Sequence, residues 1–557
     1  MSPSGKSFDI EKRAVSDSIL LVQPPVQDFY LTRKRTVPYG LASIASALEA
    51  SGFEPQILDG LATDKSKSMP YPPEFSNLNP FYGRSDISLF SLFHDFCHFG
   101  YSFEHIGKIV RDQRPFLVGI SSLFTPYADQ ALATARTVKK FFPRTLVVLG
   151  GHHPTLFPEQ VLVDEAVDFI LRGEGEISLP LLCRALTDGS DLKQVPGIGF
   201  REKSGPFIHP PVWMKDLSDY PLPQSRLIRQ DYYQRKKKAA ISVVTSRGCP
   251  MPCSYCSVSS RSSHGRFRQR DVKEVLKEIE AQALVRDIGF IDFEDENLTL
   301  NKKYFMTLLD GLDKIFPENR PELRAMNGLF PPSLDREMIR AMKESGFQTL
   351  NLSLGSTSGE QLKRFNRPDV RNAHDLTLDL AQKSGLSAVS YVIAGAPNQT
   401  AASSLEDLLY LAQKRTLAGL SVFYPAPGSL DWDLCRENDL LPQTFSLMRS
   451  SALPLDHTTT RLQSITLLRL TRILNYMKSR IDAGKTLPRP RPFNGQTKIK
   501  PSLNREKISE KLLAFFLSDG SVFGANREGN LYEHLVDKAL TQKFLEGLKQ
   551  TSVRGIL

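Results

Sequence analysis

The stretch TSRGCPMPCSYC places three thiols, Cys249, Cys253 and Cys256, on one loop. Spacings of four and three let all three turn toward a common centre, and thiols crowded in this way in a reducing compartment read as metal ligands. Zinc closes its structural sites with four ligands, and neither His264 nor the solitary Cys97, Cys183 and Cys435 stands at a familiar zinc spacing. A 4Fe–4S cluster takes one thiolate per iron, so three cysteines leave one iron open to a substrate or cofactor.

The elements that would position this loop alternate between β-rich runs and helical text. The first run, ILLVQ (19–23), is followed by PQILD (55–59), FLVGIS (116–121), TLVVLG (145–150) and VDFILR (167–172), with amphipathic segments between them. That alternation predicts an α/β, doubly wound (Rossmann-like) domain over 18–200 with a parallel sheet. Residues 60–115 interrupt it with an insertion too long for an ordinary connection, expected to be a lid or a small helical excursion. Proline-rich text marks a linker over 201–235. A second series covers 236–435 and begins at AISVVTS (240–246), just ahead of the cysteines. It continues through IGFIDF (288–293), ELRAM (322–326), TLNLSL (349–354), AVSYVIAG (388–395) and LSVFYP (420–425). Six strands with helices between them predict a full or partial (βα)6 barrel, whose chemistry sits at the C-terminal strand ends. One of its helices, over 271–283, sets Val272, Val275, Leu276 and Ile279 on one face behind an Asp271 cap. Residues 436–557 read as a mainly helical C-terminal region with one short β-like turn, LSDGSVFGAN.

Composition excludes several classes. At 557 residues, two or three domains are expected; 41% hydrophobic and 24% charged residues are ordinary globular values. No apolar run approaches the roughly 18 residues of a membrane span. The start, MSPSGKSFDIEKR, lacks the apolar core of a secretory signal, so a cytoplasmic protein is expected. The net charge of +10 comes from scattered runs such as Arg33–Arg35 and 235–238, without an aromatic-basic repeat, and no nucleic-acid partner is expected.

The C-x3-C-x2-C triplet, with Tyr255 before its last cysteine, resembles the hallmark of the radical S-adenosylmethionine superfamily. The resemblance implies that the open iron chelates S-adenosylmethionine and that one electron from the cluster cleaves it to a 5'-deoxyadenosyl radical. Further segments resemble the family strand by strand. FEDENLTLN stands where the family binds the methionine amino group, implicating Asp295, Glu296 and Asn297. LNLSLGSTSGEQLKRFNRP stands where a glutamate is usual, but Gly355 occupies that place, so Ser353 and Ser356 become the candidate polar contacts and Arg367 a closing residue. VIAGAPNQT resembles the adenine-side segment, with Ile393, Ala394, Gly395 and Ala396 offering backbone groups.

The first domain has no G-x-G-x-x-G after its first strand, which runs into Gln23-Pro24-Pro25. It is similar instead to the cobalamin-binding domain found ahead of radical S-adenosylmethionine domains. The residues that carry this are Ser121, Ser122 and Leu123 after the third strand, with Thr125 beyond them, then Gly150, Gly151 and His152, and RGEGE with Gly173, Glu174 and Gly175. Small residues at strand ends permit close approach of a nucleotide tail, and hydroxyls donate to it. The D-x-H-x-x-G that brings an axial histidine to cobalt in many cobalamin proteins is absent, and His152 and His153 are read as pocket-lining or helix-capping.

Taken together, the two halves resemble the cobalamin-dependent radical S-adenosylmethionine enzymes. The resemblance implies a 4Fe–4S cluster, S-adenosylmethionine and cobalamin as cofactors, and a methyltransferase acting on an unactivated carbon of a small-molecule or natural-product substrate. A flavodoxin or ferredoxin is the implied electron donor. The alternatives are a radical cyclase or rearrangement enzyme of the same architecture, or a non-enzymatic cobalamin-binding protein; a methylthiotransferase would need a second cluster that Cys97, Cys183 and Cys435 do not form in sequence.

Overall fold

Four consecutive apolar residues, Ile19 to Val22, are all buried, as expected of a parallel strand covered on both faces. Ile19 and Leu21 join one core with Leu41, Leu48, Leu117 and Leu182, while Leu20 and Val22 join another with Ile106, Val118, Ala135 and Leu149. This strand, β1 (Ser18–Gln23), is the centre of the first of two units in the computed structural model, which describes residues 18–29, 36–219, 221–258, 267–495, 498–499 and 504–556. The run Arg33–Arg35 and His264 lie outside the described residues. The first unit comprises Met1–Met69, Cys97–Val243 and Arg268–Gly289; the second comprises Pro70–Phe96, Val244–Phe267 and Phe290–Leu557.

In the first unit β1 pairs in parallel with β2 (Glu54–Asp59) on one side and β3 (Leu117–Ser121) on the other. Beyond β3 follow β4 (Leu146–Gly150) and β5 (Phe169–Leu171), then antiparallel β6 (Ile198–Glu202) and β7 (Gly205–Ile208). The parallel order 2-1-3-4-5 is the doubly wound order of flavodoxin-like sheets, which bind ligands beyond the carboxyl ends of the strands. Helices α1 (Tyr39–Ala50) and α4 (Gly175–Asp188) cover one face, and α2 (Phe103–Gln113) and α3 (Ala128–Phe141) the other. The unit also holds β8 (Lys238–Val243) and α5 (Val272–Ala283). Asp271 caps α5 as its sequence predicts, accepting from the Lys273 N–H, but the buried stripe is rotated from the expected one. Val275, Glu278, Ile279 and Gln282 are buried, whereas Val272 and Leu276 are only half-buried. Glu278 is drawn inward because Arg270 meets its carboxylate at 2.6 Å and the Tyr39 hydroxyl donates to it at 3.2 Å.

The second unit repeats strand and helix: β9 (Ile288–Phe293, entering this unit at Phe290), α6 (Lys302–Ile315), β10 (Glu322–Ala325), α7 (Arg336–Ser345), β11 (Thr349–Gly355), α8 (Gly359–Arg364), α9 (Arg371–Lys383), β12 (Ser387–Ala394), α10 (Ala401–Ala412), β13 (Leu417–Val422) and α11 (Leu430–Glu437). Phe290 to Phe293 pair in parallel with β10, and β11, β12 and β13 pair in parallel in that order. Parallel bridges from Leu323 to Phe347 and from Leu329 to Leu352 join the two groups into the wall of a partial barrel. The C-terminal helices α12 (Arg461–Asp482), α13 (Arg505–Asp519) and α14 (Lys538–Gln550) build the largest core of this unit with α10. The β-like turn expected in LSDGSVFGAN is one arm of a hairpin, Phe523–Ala525 against Leu531–Glu533.

The insertion over 60–115 is not one excursion. Its flanks, Ser66–Met69 and Phe96–Phe99, make a small sheet with Val26–Asp28, and its end is α2. Its middle, 70–96, belongs to the second unit. There Phe90 sits edge-on to Tyr476 at 5.4 Å, and the buried Asp86 carboxylate meets His534 Nε2 at 3.1 Å. Among the described residues no helix is long and apolar enough to cross a membrane.

Candidate active site

The cysteine loop leaves Gly248, whose φ of +83° favours glycine, and is anchored at its start by Asp295. The Asp295 carboxylate accepts from the Thr245 N–H (3.1 Å), the Thr245 hydroxyl (2.6 Å) and the Ser246 hydroxyl (2.5 Å). Asp295 therefore braces the loop, and its two neighbours face the thiols. Asn297 hydrogen-bonds Cys249, and Glu296 lies close enough to Cys249 and Cys256 to raise their pKa values. Burial is the larger cause for both thiols, and Cys256 is pushed up to about 12, with Cys253 and Cys249 adding their own repulsion. Cys253 is buried and Cys249 and Cys256 are half-buried, and three thiols this close to one another and to a carboxylate are a site that a cationic iron core would relieve. Among the described residues no three His, Cys, Asp or Glu side chains converge as ligands of one metal ion. A cubane asks for something else, one thiolate on each of three irons, so its ligands stand farther apart than those of a single ion.

Tyr255 is half-buried, with its hydroxyl taking a hydrogen bond from Arg367 Nη1 at 2.7 Å. Arg367 Nη2 donates to the Ser353 carbonyl at 2.9 Å, and the same guanidinium hydrogen-bonds Cys253. The glycine in place of the usual glutamate suits the backbone at 355, where φ is +83°, and a Cβ there would come into ordinary contact with Arg367 Nε at 3.4 Å. The serines expected to replace that glutamate are both engaged within the protein. Ser353 donates to the Leu329 carbonyl at 3.1 Å, and Ser356 donates to Asp407 at 3.0 Å. Asp407, on α10, also accepts from the Thr357 N–H (2.5 Å) and hydroxyl (2.6 Å); burial pushes it up to about 6. In the 393–396 segment, the Ile393 carbonyl accepts from Gln399, the Ala394 carbonyl from the Phe423 N–H, and the Gly395 carbonyl is met by His457, while the Ala396 N–H donates to Gln399. Sequence reasoning missed Asp407, Gln399 and His457, since none sits in a spaced motif.

In the first unit the Ser121 to Thr125 turn, the Gly150–Gly151 turn and Gly173 lie at the carboxyl ends of β3, β4 and β5. The Ser122 N–H donates to the Gly150 carbonyl at 2.8 Å. A Cβ on Gly151 would stand 2.8 Å from the Ser122 carbonyl, and on Gly173 2.0 Å from the Val212 carbonyl, both at positive φ. The hydroxyls of Ser122 and Thr125 are buried and without a hydrogen-bond partner, while Leu123 and Phe124 are 55% and 59% exposed. Unmet donors beside glycine turns at strand ends fit the polar tail of a nucleotide-bearing ligand. Burial lowers the pKa of His152, and burial with His152 as neighbour pushes His153 down to about 4, so both imidazoles are neutral at pH 7. Glu174 faces inward, taking the Met214 N–H at 2.5 Å and Arg268 at 2.8 Å. Gly175 opens α4, where a Cβ would meet Ile44 at 2.8 Å. After β1, Gln23 is held by the Thr36 carbonyl at 2.5 Å and by Asp59 at 3.4 Å.

Residues 243–411, which include the three cysteines, match the radical SAM superfamily, and residues 94–182, which include the Ser122 and Gly151 turns, match the B12 binding domain. The chain belongs to the cobalamin-dependent radical S-adenosylmethionine enzymes. The cofactors of this enzyme are a 4Fe–4S cluster, S-adenosylmethionine and cobalamin. It is 28% identical over 437 residues to an uncharacterised methyltransferase of Pyrococcus horikoshii, covering 76% of this chain and 84% of that protein. It is also 28% identical over 342 residues to an anaerobic magnesium-protoporphyrin IX monomethyl ester cyclase of Rubrivivax gelatinosus, covering 58% of this chain and 59% of the cyclase. Its fold is similar to that of the radical S-adenosylmethionine methyltransferase TsrM from Kitasatospora setae, solved with cobalamin and a 4Fe–4S cluster bound. The TM-score is 0.57 at 18% identity, over 76% of this chain and 75% of that one.

Proposed function

We propose that this enzyme is a methyltransferase acting on an unactivated carbon. The observation that carries the reading is the pair of buried, unpartnered hydroxyls of Ser122 and Thr125 beside the Gly151 turn, a cradle still shaped for cobalamin. The methyltransferase relative aligning over 84% of its own length, against 59% for the cyclase, supports methylation over cyclisation. When bound, the cluster with S-adenosylmethionine supplies a hydrogen-abstracting radical and cobalamin supplies a transferable methyl group.

The chain's own residues then hold and orient. Cys249, Cys253 and Cys256 hold the cluster. Glu296 and Asn297, which face the thiols, orient the methionine amino group; Asn297 Oδ1 is buried with no partner, an acceptor suited to an ammonium. Arg367 places a cation at Cys253 and holds Tyr255 over Phe365, whose ring lies 4.9 Å from the tyrosine. The apolar group of Phe365, Ala396, Phe423 and Leu455 keeps water from beneath the loop. Ser122, Thr125, Gly150 and Gly151 hold the cobalamin tail, with neutral His152 and His153 alongside. The substrate is a small molecule or natural product, and the electron donor is a flavodoxin or ferredoxin. The test is anaerobic turnover of reconstituted protein with methyl-labelled S-adenosylmethionine. Label in a product carbon, together with 5'-deoxyadenosine that disappears in Cys253→Ala, is expected. Formation of 5'-deoxyadenosine without label transfer would favour a cyclase or rearrangement, for which the Rubrivivax relative speaks.

A further inference from the structure

The turn between the second and third cysteines is gripped from two sides. The Ser254 N–H donates to the Phe365 carbonyl at 3.0 Å, and the Ser254 carbonyl accepts from the Asp431 N–H at 2.9 Å. Asp431 lies in the first turn of α11, which is capped by the Ser429 hydroxyl at 3.1 Å from the Trp432 N–H. Its side chain is buried, and the group it faces is the Ser254 hydroxyl, which is itself buried and has no partner in ordinary hydrogen-bond geometry. Around them Tyr255, Phe365, Ala396, Phe423, Cys435 and Leu455 form an apolar floor. Among the described residues no Lys, Arg or His forms an ion pair with Asp431, so a carboxylate stands with little compensation beside the loop that carries Cys253 and Cys256.

A one-electron reduction adds negative charge to a cluster, and its potential follows the surrounding net charge and the hydrogen bonds to its sulfurs. A carboxylate in an apolar setting opposes that electron. Resting on the cluster assignment above, we infer that Asp431 is a positioning residue that fixes the cysteine turn through Ser254 and holds the reduction potential of the cluster low.

The experiment is an anaerobic redox titration at pH 8, followed by electron paramagnetic resonance, on reconstituted wild type, Asp431→Asn, Asp431→Glu and Ser254→Ala, each first matched for iron content. Asp431→Asn removes the charge at nearly constant shape and is expected to titrate at a clearly less negative potential. Asp431→Glu keeps the charge and is expected to stay near wild type, and Ser254→Ala to shift less than Asp431→Asn. Equal potentials for wild type and Asp431→Asn at equal iron content, or equal shifts for the Asn and Glu variants, would overturn the inference and leave the cluster assignment standing. A wild type that assembles no 4Fe–4S signal overturns the assignment, and this inference with it.

Discussion

Replacing Asp407 by asparagine should make the second unit more stable as the pH rises. The carboxyl is fully buried, accepts from Ser356 and twice from Thr357, and is pushed up from 3.8 to about 6, with burial as the largest cause. The native state therefore holds this proton more tightly than the unfolded chain does. Stability from the protonated acid is fully present below pH 3.8 and is lost as the pH rises through 6. Each tenfold difference in proton affinity between the two states is worth about 1.4 kcal/mol, so the loss comes to roughly 3 kcal/mol in all. About half of that loss falls between pH 5 and pH 8. Asparagine keeps an Oδ1 acceptor for the Thr357 N–H and hydroxyl but does not ionise. The stability of Asp407→Asn minus that of wild type should thus rise by roughly 1 to 1.5 kcal/mol from pH 5 to pH 8. The protein has two tryptophans, and Trp432 lies in the second unit, so a Trp213→Phe background makes its fluorescence report that unit alone in urea unfolding of cofactor-free protein. A difference that stays flat with pH, or falls, would refute the argument, because it would mean that the three donors hold the carboxylate charged at no cost.

Ser122→Ala removes a hydroxyl that has no partner within the protein, so thermal stability without cobalamin should stay within about 0.5 kcal/mol of wild type while cobalamin affinity falls up to roughly tenfold, read by equilibrium dialysis. Gly151→Ala should abolish that binding outright, since its Cβ would press on the Ser122 carbonyl at 2.8 Å from a φ of +117°. Arg270→Leu leaves Glu278 buried with only the Tyr39 donor and should destabilise the first unit by roughly 3 kcal/mol at pH 8 and by less at pH 5, where the glutamate takes up a proton, as followed by Trp213 fluorescence in urea. Cys435→Ser, in the apolar floor around Ser254 but outside the C-x3-C-x2-C triplet, should leave the iron content of reconstituted protein unchanged, which iron analysis checks.

The strands were legible because each is a short run of buried apolar residues, and the order in which they alternate with helices left few ways to arrange them. IGFIDF forms a strand over the full 288–293, and the first-domain runs meet their strands within about two residues. The stripe on α5 departs from its periodic pattern at Leu276 and Glu278 because such a pattern weighs hydrophobicity alone, whereas Glu278 is drawn inward by the charge of Arg270, just ahead of the helix, and by Tyr39, more than two hundred residues away. The insertion was legible as an interruption but not in its destination. The contacts that bind 70–96 to the second unit, Phe90 on Tyr476 and Asp86 on His534, join residues that no local pattern links.

The sequence by itself determined the chemistry that depends on local spacing: three thiols on one loop, glycines at the ends of successive strands, and the strand and helix order that carries both. Only the tertiary structure decided which polar groups face those sites. Asp295, Glu296 and Asn297 are consecutive, yet the first braces Thr245 and Ser246 while the next two face the cysteines. Asp407 and Asp431 act on the site from helices far along the chain. The reason is physical. Spacing along a loop or strand fixes which side chains can meet a common centre, whereas the partners of a buried carboxyl are set by packing among distant elements, where each donor it gains offsets the cost of taking it out of water.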